Sequence, residues 1–320
     1  MSHVHLRVEA RHGVTPRRHT APMVLVAPRP LLRPAPSGDA PVDRGTGAEV
    51  LALLRGDTAA RPRFDPGLAG GLRAWLEDAA YDVIAARGEH APPLFLGPRQ
   101  LLGSADELDG RDGRELTDRL VLSRLVRALL RQLVQTGEIE DPLGDALDAL
   151  HASGEEADTA EIESLSAPAR AVLAETLALH ARNLTGLVPR FAPGWMPRTN
   201  DRVAIPLAGG RIVLHGVFDL VVGLPQPRTA SVCALGLSTS GPWAAARRSL
   251  HYLALLETLR SGSPPFRLAL LESASGRYGV EDVREEHLRA IASHIAAWLG
   301  NADSMNTDSM SAAGAATTDG

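Results

Sequence analysis

The chain has 320 residues, enough for one large or two ordinary domains, and 44% of them are hydrophobic, enough for a real core. A formal net charge of -5 gives no overall attraction to nucleic acid, so any contact with DNA has to come from a local patch. Lysine is absent and all 33 basic residues are arginine, which fits a GC-rich coding bias and excludes Schiff-base, phosphate-clamp and water-orienting chemistry by a lysine amine.

Residues 1–45 read as a flexible Pro/Arg-rich arm. Pro22, Pro28, Pro30, Pro34 and Pro36 deny it regular structure, and six arginines up to Arg33 face one acid, Glu9. Residues 46–165 read as a helical region. Glu49 to Leu54 is a short helix, and Leu68 to Arg87 places Leu72, Trp75, Leu76, Ala79 and Val83 at helical spacing. Gly97-Pro98 breaks the chain. The strongest helix spans Arg114 to Thr136, with Leu125, Val126, Leu129, Leu130 and Leu133 on one broad face and Arg119, Arg124, Arg127 and Arg131 as solvated flanks, and Gly137 stops it. Asp145 to Ile162 is acidic and weakly patterned.

Residues 166–300 form the second domain. Ser166-Ala167-Pro168 opens a helix to about Leu184, with a capping serine and a first-turn proline. After Pro197 the apolar pattern alternates. Arg202 to Pro206 and Arg211 to Val222 predict a hairpin about Gly209-Gly210. Ala230 to Leu237 is a nearly continuous apolar strand of the kind found inside a sheet, and Cys233, the only cysteine, is a small core residue there. Residues 243 to 260 predict a helix, Phe266 to Ser273 a strand and Val283 to Leu299 an amphipathic helix, and the small polar tail 301–320 is expected to be disordered. No apolar run reaches the length of about 18 residues that a membrane helix needs, and the start lacks a signal-peptide pattern, so no membrane contact and a cytoplasmic location are expected.

Leu214-His215-Gly216-Val217-Phe218-Asp219-Leu220-Val221 resembles the Gly-x-x-Asp strand of RecB-like PD-(D/E)XK nucleases, in which the Asp is a metal ligand. In that family the next strand carries an acid, an apolar residue and a lysine, often followed by Thr/Ser and Gly. The matching strand here is Val232-Cys233-Ala234-Leu235-Gly236-Leu237-Ser238-Thr239-Ser240-Gly241, with Gly236 at the acid's place and Ser238 at the lysine's. The family's next helix bears a Gln and then a Tyr, where this chain has Ser249-Leu250-His251-Tyr252-Leu253. Glu175 and His180, on the preceding helix, match the family's further ligand.

The resemblance covers roughly residues 170 to 300 and implies an α/β fold: a mostly helical N-terminal region followed by a restriction-endonuclease-like core, a mixed sheet flanked by helices. It implies a role in DNA processing, repair or defence. Such nucleases hold Mg²⁺ with two carboxylates and use metal and lysine to activate water and neutralise charge at the scissile phosphate. Gly236 offers no oxygen ligand and Ser238 no charge, so the expectation is an inactive relative without a cofactor, a DNA-binding or structural subunit whose partner is DNA or a helicase/nuclease protein. Arg198, Arg202, Arg247 and Arg248 are candidate nucleic-acid contacts, against which stands a scatter of solvated arginines. Two alternatives remain open. One is an active Mg²⁺-dependent DNase that joins Asp219 to Glu175, Glu257 or Glu272; the other is a helical interaction module whose Arg114 to Thr136 helix meets a partner. His287 and His294, seven apart on one helix face, read as surface polarity, and neither a P-loop nor a nucleophile elbow occurs.

Overall fold

The computed structural model describes residues 46–55, 62–88, 91–102, 113–224, 230–239 and 243–315, without the side chains of 113–118, 156–158, 161, 193 and 302–315. The arm expected over residues 1–45 lies outside the described residues. Those described belong to one compact unit, Pro34–Gly320.

Glycines end two of the longer helices, and a serine caps the start of another. Helix α1 is Gly47–Arg55 and α2 is Leu68–Arg87, which ends at Gly88 with φ 81°, its N–H returning to Ile84. Strand β1, Leu94–Leu96, leads into the short α3, Pro98–Leu102. Helix α4, Gly113–Thr136, ends at Gly137 with φ 85°, a backbone angle that favours glycine. The weakly patterned acidic stretch holds two helices, α5 (Pro142–Ala152) and α6 (Glu156–Glu163). In α5, Leu143, Ala146, Leu147 and Leu150 form a buried helical stripe between its acids. Helix α7, Ala167–Leu187, begins with the Ser166 hydroxyl accepting the Ala169 N–H.

Strands β2 (Arg198–Leu207) and β3 (Ile212–Val222) form the expected hairpin about Gly209 and Gly210, both at positive φ. Then come β4 (Cys233–Ser238), α8 (Trp243–Ser261), β5 (Arg267–Glu272), β6 (Arg277–Asp282) and α9 (Glu285–Ala315). Helix α9 runs on past Asn301 to Ala315, through a stretch free of proline.

The molecule is α/β, a mixed sheet with helices on both faces. One core joins α2, α3, α8 and α9 to one face; the other joins α1, α4, α5 and α7 to the opposite face, mainly over β4 and β5. Helices of the N-terminal region thus share both cores with the sheet. Helix α4 turns Leu125, Val126, Leu129, Leu130 and Leu133 into the second core.

Strand order positions the candidate site. Strand β2 runs antiparallel along β3 from Leu207↔Ile212 to Arg198↔Val221 and occupies that whole edge. The other edge is divided: β1 pairs parallel with Ile212–Leu214, and β4 pairs antiparallel with Leu220–Val222. Strand β5 follows parallel to β4, and β6 is the antiparallel rim. Between the end of β1 and the end of β4, residues 215–219 of β3 border a notch.

Candidate functional site

Two polar devices close this notch. At one end Tyr252 of α8 aims its hydroxyl at the carbonyl oxygens of Leu96 (3.0 Å) and His215 (3.1 Å), the acceptors left where β1 stops. Tyr252 is fully buried, and that burial drives its phenol pKa well above the ordinary value, the hydrogen bond to His215 opposing only part of the rise. At the other end stands Asp219. One carboxylate oxygen accepts the Leu237 N–H at 2.7 Å, doing the work of the ladder bond that ceases beyond Leu220↔Leu235. The other oxygen lies 2.6 Å from Nε of Arg127 on α4.

The strand is locally reoriented to allow this. Phe218 belongs to one core and Leu220 to the other, although alternation would put them on the same face. Asn200, which stands between the pairs Thr199↔Leu220 and Asp201↔Phe218, has φ 55°, a left-handed angle that Asn tolerates. The turn of both strands at Asn200 and Asp219 brings the carboxylate to Arg127 and β4. Three residues upstream, Gly216 has no room for a side chain, because a Cβ there would collide with Leu253 of α8. The Gly of Gly-x-x-Asp therefore has a packing reason of its own.

The positions expected for the missing acid and lysine lie differently. A Cβ on Gly236 would meet Leu250 of α8 and Leu270 of β5 at 3.4 and 3.5 Å, so this position faces an apolar wall. Ser238 is buried, and its carbonyl accepts from the Ser273 N–H at 2.9 Å and the Ser273 hydroxyl at 3.2 Å. His180 of α7 reaches the same corner, its Nδ1 lying 2.8 Å from Ser273 Oγ. With the serine proton on Ser238 O, Nδ1 carries the imidazole proton and donates. Burial lowers the His180 pKa and keeps the ring neutral. Glu175 sits on the exposed side of α7. Asp219, Glu175 and His180, the expected metal ligands, do not converge: among the described residues the one group of three with ligand atoms in mutual reach is His251, Glu281 and His287.

Each other acid considered for a relocated site has its own arginine. Glu272 pairs with Arg277 at 2.6 Å. Glu257 takes Nε of Arg260 at 2.8 Å, and burial, partly offset by Arg260, raises its pKa. Arg260 also grips Asp201, where burial acts to raise the pKa but the bonds and charges of Arg260 and Arg198 prevail and lower it. Of the four arginines proposed to meet nucleic acid, Arg198 is held by Gly223 O and Asp201, and Arg247 clasps Glu281 with two nitrogens. Arg202 and Arg248 are exposed.

The sequence reading missed Arg127, treated there as a solvated flank, and missed the second cluster. His251 Nε2 lies 2.7 Å from Glu281 Oε1, and the rings of His251 and His287 stack with centroids 4.6 Å apart. Burial acts to raise the Glu281 pKa, but hydrogen bonds from His251 and Arg247 overcome it and hold the value down at about 2. His294, the expected companion of His287, instead bonds the Leu101 carbonyl.

No protein-family model, curated protein or solved structure matches this chain. No helix among the described residues is long and apolar enough to cross a membrane.

Proposed function

We propose that this protein is a catalytically silent relative of the RecB-like PD-(D/E)XK nucleases that serves DNA processing, repair or defence as a binding or structural subunit. The Arg127–Asp219 pair carries the reading. It lies where β3 and β4 part, on the strand bearing the Gly-x-x-Asp residues. A guanidinium neutralises the carboxylate there, as a divalent cation does in the nucleases. Unlike Mg²⁺, it holds no water to activate, and it stays protonated and cannot shuttle a proton. The order β2–β3–β4–α8–β5 supports the resemblance. Gly236 supplies no second ligand and faces Leu250 and Leu270, which offer none, and the absence of lysine leaves the third role unfilled. Exposed Arg202 and Arg248 are the residues offered to phosphate.

The test is incubation of the purified chain with linear duplex and single-stranded DNA in the presence of Mg²⁺ or Mn²⁺. No cleavage is expected, and cleavage abolished by Asp219→Ala overturns the proposal. A mobility-shift series in rising salt then reads the binding role. Binding through phosphates weakens steeply with salt and weakens further in Arg202→Glu/Arg248→Glu.

A further inference from the structure

The cluster formed by α8, β6 and α9 takes no part in the reading above. We propose that His251, Glu281 and His287 bind one divalent transition-metal ion of the zinc class. Each residue offers one ligand atom, and these atoms lie within 4.8 Å of one another. Two of the three elements that bring them together are locked in one core, by Leu250 on α8 and by Leu288 and Ile291 on α9, and β6 is held by its pairing with β5. A second observation is independent of proximity. Nδ1 of His287 is shielded from solvent and makes no hydrogen bond, which is unusual for a buried imidazole nitrogen.

The donor set selects the ion. Two imidazoles and a carboxylate suit Zn²⁺ and its neighbours, whereas Mg²⁺ and Ca²⁺ prefer oxygen alone. Three protein ligands leave the fourth tetrahedral position open. In a tetrahedral site with metal–ligand bonds of about 2.0–2.1 Å, neighbouring ligand atoms stand about 3.3 Å apart. His251 and Glu281 stand at 2.7 Å, the spacing of a proton bridge. Metal entry therefore releases that proton to solvent, draws Glu281 Oε1 back by some tenths of an ångström, and turns the stacked His251 and His287 rings so that each aims a nitrogen lone pair at the ion. Arg247 bonds Oε2 with two nitrogens and also reaches Oε1 through Nε at 3.0 Å, so it orients the carboxylate while its charge weakens the affinity. Glu286, beside His287 on α9, offsets part of that charge.

The experiment uses the untagged full chain with His3, His5, His12 and His19 changed to Asn, which removes competing N-terminal imidazoles. Zn²⁺ is titrated against a chromophoric chelator, and Co²⁺ is read in the visible. One equivalent of Zn²⁺ is expected, and Co²⁺ gives the intense bands of a four-coordinate site. Loss of a ligand in His251→Ala or His287→Ala weakens binding about a hundredfold or more, the upper end of what even an outer-shell partner costs. His151→Ala, on the exposed side of α5, leaves it unchanged. Binding indifferent to His251→Ala and His287→Ala overturns the proposal. So does a weak six-coordinate Co²⁺ spectrum from the chain with both histidines intact, a readout that requires neither alanine variant to fold.

Discussion

Arg127 and Asp219, 92 residues apart in sequence, meet at 2.6 Å, and the same carboxylate holds the Leu237 N–H of the neighbouring strand. Asp219 is thus a strut between α4, β3 and β4. Asp219→Ala leaves a strand N–H without its acceptor and a guanidinium without its partner, and is expected to lower the unfolding free energy by about 2–3 kcal/mol in urea titrations. Arg127 is 41% exposed, so Arg127→Ala should cost less, about 1 kcal/mol. Millimolar Mg²⁺ should not stabilise the unaltered chain through Asp219; a rise in melting temperature that vanishes in Asp219→Ala would contradict this.

Tyr252→Phe keeps the ring and removes the hydroxyl that serves Leu96 and His215. The expected loss is about 1–2 kcal/mol, because two buried carbonyls lose their donor. The phenol also has an alkaline signature. Its pKa is raised in the folded chain, so its contribution to stability is whole below the ordinary value of 10.0 and is lost as pH climbs past it. A plot of urea midpoint against pH should fall above about 10 in the unaltered chain and fall less in Tyr252→Phe.

Gly216→Ala drives a methyl group into the Leu253 side chain, which has to shift within the core. Overpacking of this kind costs about 1–3 kcal/mol. Adding Leu253→Ala to Gly216→Ala opens space for the methyl, so the two changes together should cost less than the sum of each alone in chemical denaturation.

Acid should act in two stages. His180 and His287 have folded pKa values below 6.5, so their contribution is present above that pH and is lost below it as the unfolded chain takes up protons. Glu281, held at about 2 against an ordinary 4.5, contributes above 4.5 and fades as pH falls towards 2. Denaturation midpoints measured across this range should show both losses, and Glu281→Gln should flatten the lower one while deepening the upper, because the Glu281 charge acts to raise the His287 pKa.

The hairpin, β4, α8 and β5 were legible because local apolar period reports them. Strand β1 was not: Leu94–Leu96 lies between Pro93 and Gly97 and becomes a strand only through parallel pairing with Ile212–Leu214, far along the chain. Strand β6 carries Gly279 and two acids, and its form comes from pairing with β5. At the candidate site, Asp219 could be found from its own strand. Its partner could not, since nothing near Arg127 distinguishes it from the arginines beside it on α4. His287 was joined to His294 by helical spacing, yet contacts with α8 and α3 send the two rings to different neighbours. Spacing tells which residues share a helix and leaves open what the helix will face.

The divided edge of β3 also bears on how the molecule opens. Strand β1 is held by three residue pairs and by a phenol belonging to a helix 156 residues downstream. Departure of α8 removes that phenol and exposes the carbonyls it served. The amides of β1 should therefore exchange with solvent deuterium in step with those of α8, although α2 is their nearer neighbour in sequence. In native-state exchange these two segments would form one cooperative unit assembled from distant parts of the chain.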